Sequence, residues 1–241
     1  QRNTHKYFDA DKDGFTDLPQ LTKYNFNPKL FFYFNGRTKL SLGATFTSEI
    51  REGGDTKLLS HQKADTLNFY KERNDVNRVT TQLKFETKLN DRNILTIRNS
   101  FNAFYRGLQI TPTFSLGEYS FSGNQLSSFS EIAFSNRTKE NVFIAGVNFY
   151  SDQFKEEKLQ SPVLRDEEYQ TAGGFINYTF NIGKKVVVES GLRADYVLNK
   201  QAYVLPRLSA LFKWTQKLTT RIGGGMGYRN ASIFNRRRNY L

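Results

Sequence analysis

The strongest constraint in this chain is a repeat of two. Over 40–50, Leu40, Leu42, Ala44, Phe46 and Ile50 share one parity, while Ser41, Gly43, Thr45, Thr47 and Glu49 take the other. Successive side chains of a β-strand point to opposite faces, so this spacing predicts a strand with one apolar and one wet face. The pattern returns at Val79, Leu83, Phe85 and Leu89, and at Leu95, Ile97, Phe101, Ala103 and Tyr105. It returns again at Ile176, Tyr178 and Phe180, at Val186, Val188, Leu192, Ala194 and Tyr196, and at Leu208, Ala210, Phe212 and Trp214. No helical period competes over more than a turn. The spacing predicts about ten strands, over 29–35, 38–50, 78–89, 94–105, 128–135, 141–150, 171–181, 185–197, 205–214 and 218–228.

The links between these strands alternate in length. Short ones fall at Asn35-Gly36-Arg37, Asn90–Asn93, Asn136–Asn141, Asn181–Lys184 and Thr215–Lys217, where Asn and Gly tolerate the backbone of tight turns. Long polar ones fall at 51–77, 106–127 and 151–170. Up-and-down strands with short turns at one end and long loops at the other predict an all-β, antiparallel transmembrane β-barrel, its apolar face on lipid and its polar face on a wet lumen. Tyr33, Tyr105, Tyr150, Tyr196, Trp214 and Tyr228, near strand ends, are expected to form interfacial girdles. The alternative is a soluble or surface β-sheet module that binds a ligand or glycan on an aromatic face.

Composition narrows the choice. Zero cysteines exclude a disulfide scaffold and any thiolate metal or redox site, and 22 Phe with 13 Tyr argue against disorder. No segment approaches the ~20 apolar residues of a membrane-spanning helix. A chain that is 15% aromatic yet has a mean hydropathy of −0.61 fits strands with one face on lipid and one in water. Residues 1–28 read as a polar loop entered from an earlier strand, and the end of the chain reads as loop on the long-loop side. The 241 residues are therefore expected to form one segment, 1–241, that is an arc of a larger barrel.

Two stretches carry a family resemblance. Leu205-Pro206-Arg207-Leu208-Ser209-Ala210-Leu211-Phe212-Lys213-Trp214, a short turn, then Leu218-Thr219-Thr220-Arg221-Ile222-Gly223-Gly224-Gly225-Met226-Gly227-Tyr228-Arg229 and Ile233-Phe234-Asn235 resemble a strand–turn–strand segment of TonB-dependent outer-membrane receptors. The Asp9–Pro19 segment is similar to an outer loop of such receptors from Bacteroidetes-like bacteria. The chain departs from the family pattern at Asn230-Ala231-Ser232, where a Pro is usual. The resemblance implies an arc of a 22-stranded barrel. It also implies an outer-membrane receptor that imports a bulky, scarce nutrient (a ferric siderophore, cobalamin or haem) with energy from the TonB protein. The partners so implied are the receptor's own plug domain, TonB acting through that plug, outer-membrane lipid and lipopolysaccharide, and a small-molecule or metal-chelate ligand. Neither enzyme activity nor nucleic-acid binding is expected.

The sharpest local motif is acidic. Asp9, Asp11 and Asp13 stand at positions 1, 3 and 5 of a D-x-D-x-D-G loop, with Gly14 at the turn, the Phe15 carbonyl at position 7 and Asp17 at position 9. Hard oxygen ligands at this spacing can wrap a Ca²⁺ ion in the 9–20 loop, although Gln20 replaces the usual bidentate Glu; a solvated acidic turn is the alternative. The wet-face cations Lys84, Lys88, Arg98, Arg193, Lys213 and Arg221 are candidates to line the lumen or to pair with the plug, against plain surface charge. His5, His61, the run Asp166-Glu167-Glu168 and the basic triplet Arg236-Arg237-Arg238 read as solvated loop residues. No nucleophile–base set, phosphate loop or H-E-x-x-H motif is found. Gly223-Gly224-Gly225 reads as close strand packing.

Overall fold

The computed structural model describes residues 1–60, 69–112, 117–157 and 165–229. Its strands are β1 Arg2–His5, β2 Gln20–Phe26, β3 Lys29–Tyr33, β4 Thr38–Gly54, β5 Lys71–Lys88, β6 Asn93–Thr111, β7 Tyr119–Arg137, β8 Asn141–Glu156, β9 Glu167–Ile182, β10 Val186–Val197, β11 Ala202–Lys213 and β12 Thr219–Gly225. One short helix, α1 Thr56–Leu59, follows β4. All twelve strands join a single antiparallel sheet ordered β1-β2-β4-β5-β6-β7-β8-β9-β10-β11-β12, with β3 also paired to β4. The sheet is open, with β1 and β12 at its two edges.

Two corrections to the sequence reading concern strand ends. Residues 1–28 are not wholly loop: β1 and β2 lie there, and β2 pairs with the upper half of β4 from Gln20↔Glu52 to Phe26↔Phe46. β3 continues β2 in the same register, Lys29↔Gly43, across Pro28, whose carbonyl accepts from Ala44 N at 3.0 Å. The two pieces are thus one path along β4, interrupted where proline has no N–H to give. The strands facing the long loops also outrun their hydrophobic signal. β4 ends at Gly54 rather than residue 50, β5 starts at Lys71 rather than 78, and β6 and β7 run 19 residues each. A tilted strand crosses a bilayer in about 9–11 residues. Beyond that length both faces are wet, so alternation stops while the hydrogen-bonded ladder continues.

The ladder keeps parity constant from strand to strand. Leu42 lies opposite Leu83, Phe46 opposite Val79, Phe85 opposite Ile97, Ile97 opposite Ile132, Ile132 opposite Val147, and Ile176 opposite Leu192. One face is consequently a continuous apolar belt, and it is uncovered: Phe26 is 66% exposed, Val147 60%, Ile132 49% and Leu208 59%. The only buried hydrophobic residues among those described are Ala133 and Val197. A soluble module would put such a face into a core. Among the described residues the sheet has no second layer, and its apolar side is built for lipid. The fold is an arc of an antiparallel transmembrane barrel.

Parity also re-sorts the girdle. Tyr105, Tyr196 and Trp214 share the parity of the apolar belt, as expected. Tyr33 and Tyr150 do not, because the period of two turns them to the wet face, and Tyr228 lies past the end of β12 at Gly225, where that period no longer holds. Tyr33 lies opposite Lys39, which sits over its ring at 5.4 Å, and Tyr228 stacks on Tyr203 at 3.9 Å. Tyr24, on the apolar parity and 50% exposed, fills a girdle position instead.

Replacing Val147 by Arg is expected to cost roughly 2–4 kcal/mol of membrane-embedded stability, since the new charge meets lipid near mid-belt. Gln82→Arg, on the wet face, is expected to be nearly silent. Urea unfolding in liposomes, read by heat-modifiable electrophoretic mobility, separates the two; equal effects would contradict the face assignment.

Candidate functional site

The β1–β2 link, residues 6–19, folds inward over the wet face. An added Cβ on Gly53, which has wet-face parity, would meet Thr16 Oγ1 at 3.1 Å and Pro19 Cβ at 3.2 Å. The loop is clasped there by backbone bonds. Phe8 and Leu18 bridge each other, Thr16 N donates to Gly54 O at 3.0 Å, Gly54 N donates to Thr16 Oγ1 at 2.8 Å, and Thr56 N donates to Gly14 O at 2.9 Å. Gly54 sits at φ +126°, and an added Cβ would strike the Tyr70 carbonyl. No other residue type fits this join without strain. Asp55, nearly buried, caps α1 through Lys57 N at 2.9 Å and donates its own N–H to Tyr70 O at 2.8 Å.

Within the loop the aspartates first satisfy the backbone. Asp9 accepts from Lys12 N at 2.7 Å and Gly14 N at 3.1 Å, Asp11 from Asp13 N at 3.3 Å, Asp13 from Phe15 N at 2.7 Å, and Asp17 from Ala10 N at 2.8 Å. One carboxylate oxygen from each of Asp9, Asp11 and Asp17 lies within 4.8 Å of the others. Asp13 is not in this group, because its side chain is turned to the Phe15 amide. The Phe15 ring packs on Tyr70, with centroids 5.6 Å apart.

Beneath the loop lies a cavity of about 360 Å³ lined by Phe15, Thr16, Arg51, Tyr70, Glu72 and Asn74. Burial pushes the Tyr70 phenol up, and Glu72, which accepts its hydrogen bond at 3.2 Å, adds to the shift. Arg106 donates to Asn74 Oδ1 at 3.2 Å and has no ion-pair partner among the described residues. Arg78 lies over the Phe104 ring at 4.7 Å. Lower on the wet face a second hollow, about 320 Å³, is lined by Glu131, Phe175, Asn177, Arg193 and Arg207.

The six wet-face cations singled out by sequence all have wet-face parity. Three are neutralised in place: Lys84 by Glu86 at 2.7 Å, Arg98 by Glu131 at 2.5 Å, and Arg193 by Asp195 at 2.8 Å. Asn148 Oδ1 accepts from Arg193 Nη2 at 3.2 Å, while its Nδ2 is buried without a partner among the described residues. Glycines make room for these groups: Gly173 faces Asp195 and Asn148, and Gly223 faces Ser209. Asp166 accepts from Glu156 N at 2.9 Å, so the acidic run is partly structural. His5 lies in β1, and Gly223-Gly224-Gly225 ends β12 as strand. His61, Asn230, Ile233-Phe234-Asn235 and Arg236-Arg237-Arg238 lie outside the described residues.

No family model and no curated protein matches the sequence. Solved structures do. The ferric enterobactin receptor PfeA of Pseudomonas aeruginosa aligns with a TM-score of 0.67 at 10% identity, over 95% of this chain and 36% of that one. The siderophore receptor PirA of Acinetobacter baumannii aligns at 0.62 and 14% identity, over 93% and 36%. The RagAB peptide importer aligns at 0.62 and 9% identity, over 87% and 33%. The chain spans about a third of the length of these receptors and transporters. At such identities the likeness is one of fold: this arc is a section of the same kind of barrel.

Two predictions follow from the rim. Gly54→Ala is expected to free the loop, raising amide exchange over 8–18 while the belt strands keep their protection; unchanged exchange would remove the clasp. The second concerns pH. Hydrogen bonds from Arg165 hold the Glu156 carboxyl below its ordinary value of 4.5, outweighing burial. A depressed carboxyl stabilises the fold above the unfolded value and loses that contribution as the pH falls through the folded one. The β8–β9 rim is therefore expected to be intact above pH 4.5 and to loosen progressively below it, whereas Glu156→Gln is expected to flatten this dependence. Amide exchange at Arg165 between pH 6 and 3 reads both.

Proposed function

We propose that this chain is an arc of an outer-membrane active-transport receptor, which imports a bulky, scarce nutrient with energy delivered by TonB through a plug domain. The observation that carries the reading is the pairing of a lipid-facing belt with a wet face whose long-loop rim folds inward over a cavity. Among ferric siderophores, cobalamin and haem, an anionic ferric siderophore fits best. Arg106 stands beside the cavity, and among the described residues it is bound only to the neutral Asn74, which leaves its charge for an anion. PfeA, a ferric enterobactin receptor, and PirA, a siderophore receptor, share the fold. Residues 9–20 are read as a Ca²⁺ loop that stiffens this rim through Asp9, Asp11, Asp17 and the Phe15 carbonyl, with Asp13 shaping the turn.

The test uses the full-length receptor. Calorimetric titration with a panel of ferric siderophores, haem and cobalamin is expected to select a siderophore, and Arg106→Gln to weaken it about tenfold, the worth of one charge-assisted hydrogen bond. Uptake is expected to stop when TonB is deleted. Binding of none of the panel, or uptake indifferent to TonB, would overturn the reading. For the loop, Tb³⁺ luminescence displaced by Ca²⁺ is expected in the native chain and not in Asp11→Asn; identical signals would remove the metal.

A further inference from the structure

The short-turn end of the barrel carries a charge pattern that import does not use. Arg37, Arg92, Arg137, Lys139, Lys184 and Lys217 stand on or beside its five turns, against only Asp91 and Glu140. All six cations are exposed, and none enters an ion pair among the described residues. The long-loop rim is different: there Glu49, Glu52, Asp75 and Glu156 are each paired with Lys or Arg.

A second observation says what the unpaired cations face. The apolar belt runs to the very edge of this end, where Phe34, Leu89, Ile182, Trp214 and Leu218 share the lipid parity and are 54–64% exposed. Each sits within three residues of a turn cation. Apolar groups set in the acyl boundary with cations just beyond them form the pattern of a membrane interface. A surface made for an acidic protein would not need the apolar row. Between the second and third turns the pattern becomes a cleft of about 530 Å³, lined by Arg92, Arg137, Thr138, Lys139 and Glu140. The two turns are held side by side by Arg137 N, which donates to Arg92 O at 2.8 Å.

We propose that this cleft, with the basic turns around it, is a binding site for anionic phospholipid headgroups in the leaflet on the short-turn side. Arg92, Arg137 and Lys139 take the phosphate, and Leu89 lies along the acyl chain. The proposal rests on the lipid-facing reading of the belt and not on the identity of the cargo. The site gives the barrel a fixed depth at this leaflet, since headgroups and turn cations must lie at one level.

The experiment is native mass spectrometry of the full-length protein in nonionic detergent, titrated with dioctanoyl phosphatidylglycerol, dioctanoyl phosphatidylcholine or inorganic phosphate. Phosphatidylglycerol is expected to remain bound in preference to phosphatidylcholine, with the preference falling as salt rises. The triple variant Arg92→Gln/Arg137→Gln/Lys139→Gln is expected to lose roughly fivefold in phosphatidylglycerol affinity per cation removed, with phosphatidylcholine unchanged. Lys184→Gln/Lys217→Gln, on other turns, is expected to act in the same direction with a smaller effect, and serves if the triple variant fails to fold. Equal retention of the two lipids, or an intact preference in the triple variant, would overturn the site. Displacement of the lipid by low-millimolar phosphate would overturn it in favour of a free-phosphate site. Preferential retention of a soluble acidic polypeptide would overturn it in favour of a protein partner. A chain that takes up neither lipid nor detergent would overturn the membrane reading itself, a result distinct from all the others.

Discussion

The unbroken antiparallel ladder is the constraint on which everything else depends. In lipid no water is at hand for backbone N–H and C=O groups, so each strand must be satisfied by its neighbours. Register here is held from β4 to β11 with no slip of one residue. A single slip would turn an entire strand's apolar residues into the lumen and its polar ones into lipid. The belt from Phe46 to Leu208 and the wet face from Thr45 to Arg207 are therefore two readings of one hydrogen-bond pattern. The polar residues on the lipid parity obey the same rule: Asn99 Nδ2 donates to Ser130 Oγ at 2.9 Å, so the pair satisfies itself.

The ladder also explains why the rim can be shaped. Once past the bilayer, β4 to β7 keep pairing although neither face need be apolar. Their outward sides fill with ions and amides instead: Glu52 accepts from Gln20 at 2.5 Å and from Arg73 at 2.8 Å, and Arg73 also reaches Asp75 at 2.9 Å. These groups mark where lipid ends as firmly as Tyr24 and Tyr105 do. The strands so extended give the 6–19 loop a stiff edge to lie on. Its position is set by hydrogen bonds to the backbone of Gly54 and Thr56 more than by hydrophobic packing, for Phe8 and Leu18 remain exposed at 60% and 49%.

What was legible in the sequence follows from the same physics. Alternation locates strands where their two faces meet different solvents, so the belt and the short turns could be read residue by residue. Where both faces are wet, as in β1, the upper part of β2 and the upper ends of β5 to β7, the signal vanishes and only the ladder, a non-local feature, reveals the strand. Parity could have been counted for Tyr33 and Tyr150; nearness to a strand end was used in its place, and it does not specify a face. For Tyr228 a count would have misled, since the chain leaves the strand after Gly225. In the acidic loop the spacing identified the aspartates but not their roles. Asp13 and its neighbours bind backbone amides first, and which oxygens remain to converge depends on the φ values of Lys12 at 62° and Gly14 at 89°. The cavity under the loop was not legible at all, since its walls come from 15–16, 51–54 and 70–74, joined only by folding.

Charge was the feature most easily misjudged from composition. The net charge is +12, and six of its cations, Lys84, Lys88, Arg98, Arg193, Lys213 and Arg221, were candidates for the lumen by parity. Folding sorts it differently. In the lumen Lys84, Arg98 and Arg193 are each matched by a carboxylate one or two positions away on the same face, so part of the charge is cancelled in place. At the short turns no such matching occurs among the described residues, and the excess stays exposed. A turn of three or four residues has no room for a partner at pairing distance on the same face. The adjacent turn, about 5 Å further along the sheet for each strand crossed, brings more cation rather than acid. Such a concentration is tolerable only if counter-charge comes from outside the chain. The apolar residues immediately beside it limit the source of that counter-charge to something that is itself both anionic and apolar.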